Sequence, residues 1–330
     1  MEDKVPDFRG PLSVEKFAGG QSNPTFRLST PTRNFVMRRK PLGPIHRSAH
    51  AVDREYRVLQ ALGRQGFPVP AVLGLCTDEA VIGSWFYVME LVEGRVFWNS
   101  ALPELSAPER AAAFDSMNET IARLHEVDVT AAGLEDFGRG GNYVGRQIDR
   151  FAKQYRADEA AGRLDVMDRL IEWLLENMPS QEGGRAIVHG DFKIDNLMFH
   201  PTEPRVIAVL DWELSTLGDP LADFAYNMMM YRMPAGLGAS LASDDRPCAG
   251  LPGETDYIAA YCRRTGRDGF PHLSYYVAFN MFRLAAIIHG IGGRVIRGNA
   301  SHAQAHQHVA RFEPLAQAAW AQAQRAQAEA

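Results

Sequence analysis

Cysteine is scarce in this chain. Three residues in 330 carry a thiol, Cys76, Cys248 and Cys262. They are scattered and show no metal-ligand spacing, so neither a disulfide framework nor a structural zinc site is expected. Reduced thiols of this kind suit a cytoplasmic protein. Long apolar runs are missing too, and nothing approaches the roughly 20 residues that a membrane-spanning helix needs. The N-terminal "MEDKVPDFRG" is charged and has no apolar core, so it does not read as a secretory signal. Basic excess is absent: the formal net charge is -5. That balance gives nucleic acid no electrostatic reason to bind. No internal repeat is visible. Expected partners are therefore neither nucleic acid nor membrane.

What remains is the balance of a folded globular protein, 46% apolar and 23% charged, with chain enough for two sizeable cores. The first ninety or so residues read as short strands and one helix. "VEKFAGGQSNPTFRLST" is two β-like runs around a turn cluster, and "NFVMRRK" is a third strand. A helical period through Val52, Tyr56 and Leu59 ends near Gly63 or Gly66. "AVLGLCTDEAVIGSWFYVMELVEG" adds two or three strands. From about residue 93 the pattern turns helical. Ser106 and Glu109 form a capping-box signature before a face of Phe114, Met117, Ile121 and Leu124. Residues 165–178 show a second such face. Further helices are expected at 219–232, 254–265, 272–291 and 302–325. The expected division is an N-terminal lobe, 1–92, with an antiparallel sheet, and a mostly helical C-terminal lobe, 93–330.

The helical part holds two strand-like runs, "AIVHG" and "RVIAVLDW", and the polar residues crowd between and after them. The order is His189-Gly190-Asp191-Phe192-Lys193-Ile194-Asp195-Asn196, then a hairpin return to Asp211-Trp212-Glu213. Neighbouring strands would gather Asp191, Asn196 and Asp211. Oxygen donors gathered in one place are costly unless a cation or a reacting group offsets them. Mg²⁺ favours hard oxygen ligands, one or two carboxylates with substrate phosphates. Asn196 and Asp211 fit that role, and Asp191 is left free as a base. Turn-forming Asp and Asn are the bland alternative for each residue singly. It accounts poorly for all three at these spacings.

The pair "VHGDFKIDN…VLDWE" resembles the catalytic loop and metal-binding acid of protein-kinase-like folds. With glycine second in the loop and "DWE" at the acid, it is similar to the aminoglycoside phosphotransferase-like family of small-molecule kinases. "VMRRKPLGPIHRSAHAVDREYRVLQAL" and "VLDWELSTLGDPLADFAYNMMMY" look most like the phosphotransferase domain fused to acyl-CoA dehydrogenases. The resemblance implies a bilobal α+β kinase-like fold, with ATP and Mg²⁺ in a cleft. It implies γ-phosphoryl transfer to a hydroxyl of a small molecule, and the likeness to the fused domain implies a hydroxyacyl-CoA or similar acyl-thioester acceptor. Antibiotic, sugar and choline-like alcohols are alternative acceptors, and a nucleotide-binding pseudokinase is the non-catalytic alternative.

By the same resemblance Asp191 orients or accepts the acceptor proton and Lys193 meets the transferred phosphoryl group. Asn196 and Asp211 hold the metal. Gly19, Gly20, Ser22 and Asn23 lie where a phosphate-covering hairpin belongs. Arg38 takes the usual strand lysine's place, with Arg39 and Lys40 as competing registers, and Glu55 is its helix partner. The backbone of Glu90 and Val92 would meet the adenine edge. Asp219 is an N-cap before Pro220, and Asp223 matches an aspartate that braces the loop. His189 is expected to bond backbone, Glu213 to form a salt bridge, and the Met228–Met230 run to pack in a core. Trp98 is a weaker candidate for the acceptor side.

Overall fold

The computed structural model describes residues 5, 8–17, 23–41, 51–139, 141–180, 184–241, 249–298 and 309–329. In chain order the strands and helices begin with β1 (Ser13–Lys16), β2 (Thr25–Ser29), β3 (Asn34–Arg39) and α1 (Val52–Arg64). Next come β4 (Val72–Cys76), the single turn α2 (Glu79–Ile82), β5 (Phe86–Glu90) and α3 (Ala107–His125). Then follow α4 (Tyr143–Ala157), α5 (Asp165–Glu176), β6 (Ala186–Val188), β7 (Leu197–Phe199), β8 (Val206–Val209) and β9 (Thr216–Gly218). The chain closes with α6 (Pro220–Arg232), α7 (Glu254–Thr265), α8 (Leu273–Ile296) and α9 (Phe312–Glu329). The fold is α+β, a small antiparallel sheet and a helical part.

The chain forms two compact units, and neither is one continuous stretch. The first gathers Met1–Val96, Val127–Phe137 and Asn196–Ser215; the second gathers Phe97–Glu126, Gly138–Asp195 and Thr216–Ala330.

In the first unit five strands form a sheet in the order β1-β2-β3-β5-β4, every pair antiparallel. Side chains alternate across a strand. Leu28, Phe35, Phe86 and Val88 therefore cluster with Val5 and Phe8 on one side. Arg38 and Tyr87, opposite each other in register, reach the other side. Helix α1 buries Val52, Glu55, Val58, Leu59 and Leu62, the spacing of one helical face. Glu55 is the only charged residue in that buried set. Of the two or three strands expected after residue 70, two form, because Asp78 caps a helical turn through Ala80 N–H and Gly83 ends it at φ 81°. The hairpin β7–β8 completes the unit. Two hydrogen bonds pin it to the end of the sheet region: Arg95 N–H donates to Phe199 O and Phe199 N–H to Arg95 O, both at 2.8 Å. A β-carbon on Gly94 would lie 2.4 Å from Phe199 O, so this close approach requires glycine.

In the second unit α8 is buried on nearly all sides, as its apolar sequence requires. It packs on α4, α6 and α9, while α3 packs on α7. Ser106 N–H donates to Glu109 Oε2 at 2.8 Å at the start of α3, the reciprocal half of a capping box. Strand β6 pairs with β9, not with its sequence neighbours β7 and β8. The sequence therefore misled on one point: the strand before the polar loop and the strands after it are not one ladder. β9 is three residues long and has no period to betray it.

Candidate active site

Three acidic side chains of the first unit converge on Arg38. Its Nε lies 2.9 Å from Glu55 Oε2. Its Nη2 lies 2.6 Å from Asp211 Oδ1 and 3.4 Å from Glu213 Oε2. A planar guanidinium can serve several carboxylates at fixed angles, which an ammonium cannot. Of the three candidate registers, Arg38 is the residue that meets Glu55. Arg39 turns to Lys40 O and the Phe26 ring, and Lys40 sits over Trp85. Glu55 is 2% exposed. Its other contacts are Asn23 Nδ2 at 2.6 Å and the Tyr87 hydroxyl at 3.1 Å. Burial pushes its carboxyl up to about 7, against the pull of Arg38, with Asp211 and Glu213 adding to the rise. Arg38 stays a cation: its three acidic neighbours raise it above the usual range in spite of burial.

Asp211 stands at the exit of β8 with φ 64° and ψ 61°. Left-handed backbone is uncommon for a residue other than glycine, and aspartate is among the residues that tolerate it best. The following Trp212 fixes this corner. Its indole donates to Val209 O at 2.9 Å and its ring packs edge-on against Phe67. Across the hairpin, Leu210 N–H donates to Asn196 O at 2.8 Å. Asn196 and Asp211 thus flank the same end of β7–β8. Both offer hard oxygens, and the Asp211 side chain is 34% exposed, so the donor set suits Mg²⁺. Among the described residues no group of three or more His, Cys, Asp or Glu could hold a metal. An Asn–Asp pair completed by phosphate oxygens is the arrangement that remains open to these residues.

The second unit holds the loop from His189 to Asp195. Asp223, buried on α6, accepts His189 N–H and Gly190 N–H, both at 2.8 Å. Gly190 has φ 82°, a turn that favours glycine. His125 Nε2 lies 3.2 Å from Asp223 Oδ2, and its Nδ1 lies 2.7 Å from the Tyr261 hydroxyl. Burial alone would raise the Asp223 carboxyl. Its bonds to His125 and to the loop N–H groups hold it below the usual range instead. His189 Nδ1 accepts Asp191 N–H at 3.2 Å. Lys193 Nζ lies 3.5 Å from Asp191 Oδ2 and 3.2 Å from Asp195 Oδ2. Asp219 Oδ1 accepts Leu221 N–H at 2.8 Å as the α6 cap, with Pro220 next, as expected.

Each expected site residue can now be located. Asn23, Arg38, Glu55 and Asp211 meet in the first unit. Asn196 lies beside Leu210, and Glu90 and Val92 end and follow β5. Asp191 and Lys193 meet in the second unit. Gly19, Gly20 and Ser22 lie outside the described residues. Met228, Met229, Met230 and Met233 are buried, so they pack the core; Trp98 is 80% exposed. Three residues escaped the sequence reading. The Tyr226 hydroxyl donates to Asp191 Oδ1. Arg283, 4% exposed, donates to Gly190 O at 3.1 Å. His125 supports Asp223. A tyrosine three residues after Asp223, on the same helical face, was the one available signal.

An ion-paired arginine on the third strand and a glycine-turned loop braced by a buried aspartate are both features expected of a kinase-like phosphotransferase. The phosphotransferase enzyme family model matches residues 13–271, and the chain belongs to that family. A mouse protein named acyl-CoA dehydrogenase family member 10 is 42% identical over 313 residues. The match covers 94% of this chain but only 29% of the mouse protein. A Ralstonia eutropha crystal structure, named for the aminoglycoside phosphotransferases, superposes with a TM-score of 0.88 at 48% identity. It covers 98% of this chain and 96% of its own. An aminoglycoside phosphotransferase in a ternary complex with ADP and hygromycin B shares the fold, with a TM-score of 0.59 at 16% identity, covering 93% of this chain and 94% of its own. The protein is thus a small-molecule phosphotransferase by family. No described helix is long and apolar enough to cross a membrane.

Proposed function

We propose that the protein transfers the γ-phosphoryl group of ATP, with Mg²⁺, to a hydroxyl of a small molecule of the hydroxyacyl-CoA type. The observation that carries the reading is the buried Arg38–Glu55 pair with Nη2 of Arg38 on Asp211. A buried cation that spans a helix acid and a hairpin acid is suited to the α- and β-phosphates of a nucleotide. The ADP-bound neighbour of the same fold supports nucleotide use. The acyl-CoA dehydrogenase relatives support an acyl-thioester acceptor.

In this reading Asp191 accepts the proton of the acceptor hydroxyl. The hydroxyl oxygen bonds to the γ-phosphorus, and the bond to the β–γ bridging oxygen breaks to release ADP. Lys193, beside Asp191, meets the moving phosphoryl oxygens. Asn196 and Asp211 would hold Mg²⁺, which when bound offsets charge on the phosphate oxygens. Glu55 keeps Arg38 in place, and Glu90 and Val92 meet the adenine through their backbone.

The test is ADP release across hydroxyacyl-CoAs, sugars, amino alcohols and aminoglycosides, with and without Mg²⁺. Release with hydroxyacyl-CoAs alone supports the reading. Release with another class reassigns the acceptor. A silent panel with retained ATP binding turns the protein into a nucleotide-binding pseudokinase.

A further inference from the structure

The second unit surrounds Asp191 with more order than a solvent-facing base requires. Both carboxylate oxygens are engaged: Oδ1 accepts the Tyr226 hydroxyl and Oδ2 faces Lys193 at 3.5 Å. Tyr226 comes from α6, the helix that also fixes the backbone of the same loop. Asp223, three residues earlier, takes His189 N–H and Gly190 N–H. Asn227, one residue later, donates to Phe192 O at 3.4 Å. One helix thus holds the loop before, at and after Asp191.

The phenol ring is itself held. The Arg283 guanidinium lies 5.8 Å from its centre and is boxed by Phe151 and Phe279. Arg283 donates to Gly190 O and, at 2.9 Å, to Asn280 Oδ1. Asn280 donates at 2.8 Å to Ala222 O, back on α6. Loop, α8 and α6 close a ring of contacts in which the Tyr226–Asp191 bond is one link. A tyrosine that needed only a partner could have used a carbonyl. Here the partner is a charged side chain that is 21% exposed.

Resting on the reading of Asp191 as proton acceptor, we propose that Tyr226 is its positioning residue. The phenol fixes the carboxylate in one orientation and leaves a lone pair of Oδ1 for the incoming hydroxyl. A carboxylate oxygen accepts two hydrogen bonds, so both hydroxyls fit. Tyr226 keeps its own proton throughout: burial and the Asp191 charge hold its phenol well above the ordinary tyrosine range. It therefore donates and never competes as the base, and the acceptor's proton goes to Asp191.

Two measurements test this, beginning with carbon-13 NMR of aspartate side-chain carboxyls in the nucleotide-free protein. The resonance that Asp191→Asn abolishes must move in Tyr226→Phe. If it stays in place the positioning role is overturned, whatever the reaction. In kinetics, ADP release is followed with the best acceptor of the panel, or with water. Tyr226→Phe should lower kcat about 10- to 100-fold, the scale of a misplaced reacting group. The KM for ATP should stay within about twofold. In an Asp191→Asn background the same change should cost nothing further. An equal loss in both backgrounds would show a merely structural tyrosine and overturn the role. Tyr226→Trp, should the phenylalanine variant melt early, must show the same dependence on Asp191. Full activity of Asp191→Asn would instead remove Asp191 from the reaction while leaving the NMR result standing.

Discussion

At the scale of single residues, chemistry and stability fall on different side chains. Asp191 is part-exposed, and asparagine has its shape and keeps an acceptor for Tyr226, so that substitution should alter turnover more than the fold. Asp191→Asn should lower kcat by about 10²–10⁴, the range of a positioned acid-base group. Steady-state ADP release checks this, with the melting temperature as control. Arg38 is the opposite case. Its guanidinium meets Glu55, Asp211 and Glu213 together. An ammonium in its place reaches fewer of them. Arg38→Lys should weaken ATP binding and destabilise the fold by about 1–3 kcal/mol, the cost of buried polar groups left short of partners. Titration calorimetry and urea unfolding read the two effects separately.

Elements were legible where period and punctuation agree. Helix α3 announces itself through its capping box and one apolar face, α5 through its apolar face, and α6 through its Asp219–Pro220 start. The loop from His189 to Asn196 is legible because polar residues stand at fixed offsets between apolar strands. Helix α4 was not expected, although Val144, Ile148, Phe151 and Tyr155 of "YVGRQIDRFAKQYRA" stand on one helical face; they are buried, and α8 packs on this helix. The β6–β9 pairing was invisible because β9 has too few residues to show alternation. Tyr226 was hidden in an apolar helix run, where a tyrosine reads as core. The element that binds these pieces is α6. Removing its anchor in Asp223→Ala leaves the buried N–H groups of His189 and Gly190 without acceptors. The expected cost is about 3 kcal/mol or more, together with a drop in kcat. Chemical denaturation of the variant and the parent checks it.

For the molecule as a whole, two buried carboxyls pull stability in opposite directions along the pH scale. Glu55 holds its proton to about 7 in the fold, against an ordinary value of 4.5. The folded state then binds more protons than the unfolded one between those limits, so this group's contribution declines as pH rises through them. Asp223 is held below its ordinary 3.8, so its contribution is present above that value and fades as pH falls below it. Glu55→Gln should gain on the parent from pH 4.5 to 7, by a few kcal/mol at most, at about 1.4 kcal/mol per pKa unit. Melting curves across that window decide it; parallel curves for both proteins would contradict the assignment.

The chain passes between the two compact units at residues 96–97, 126–127, 137–138, 195–196 and 215–216. A clean cut after residue 96 would strip the first unit of its hairpin, and with it Asp211 opposite Arg38 and the Phe199 bonds to Arg95. A fragment of residues 1–96 made alone should show no cooperative melting. The interleaving belongs to the matched stretch as a whole: the much longer mouse relative aligns with 94% of this chain.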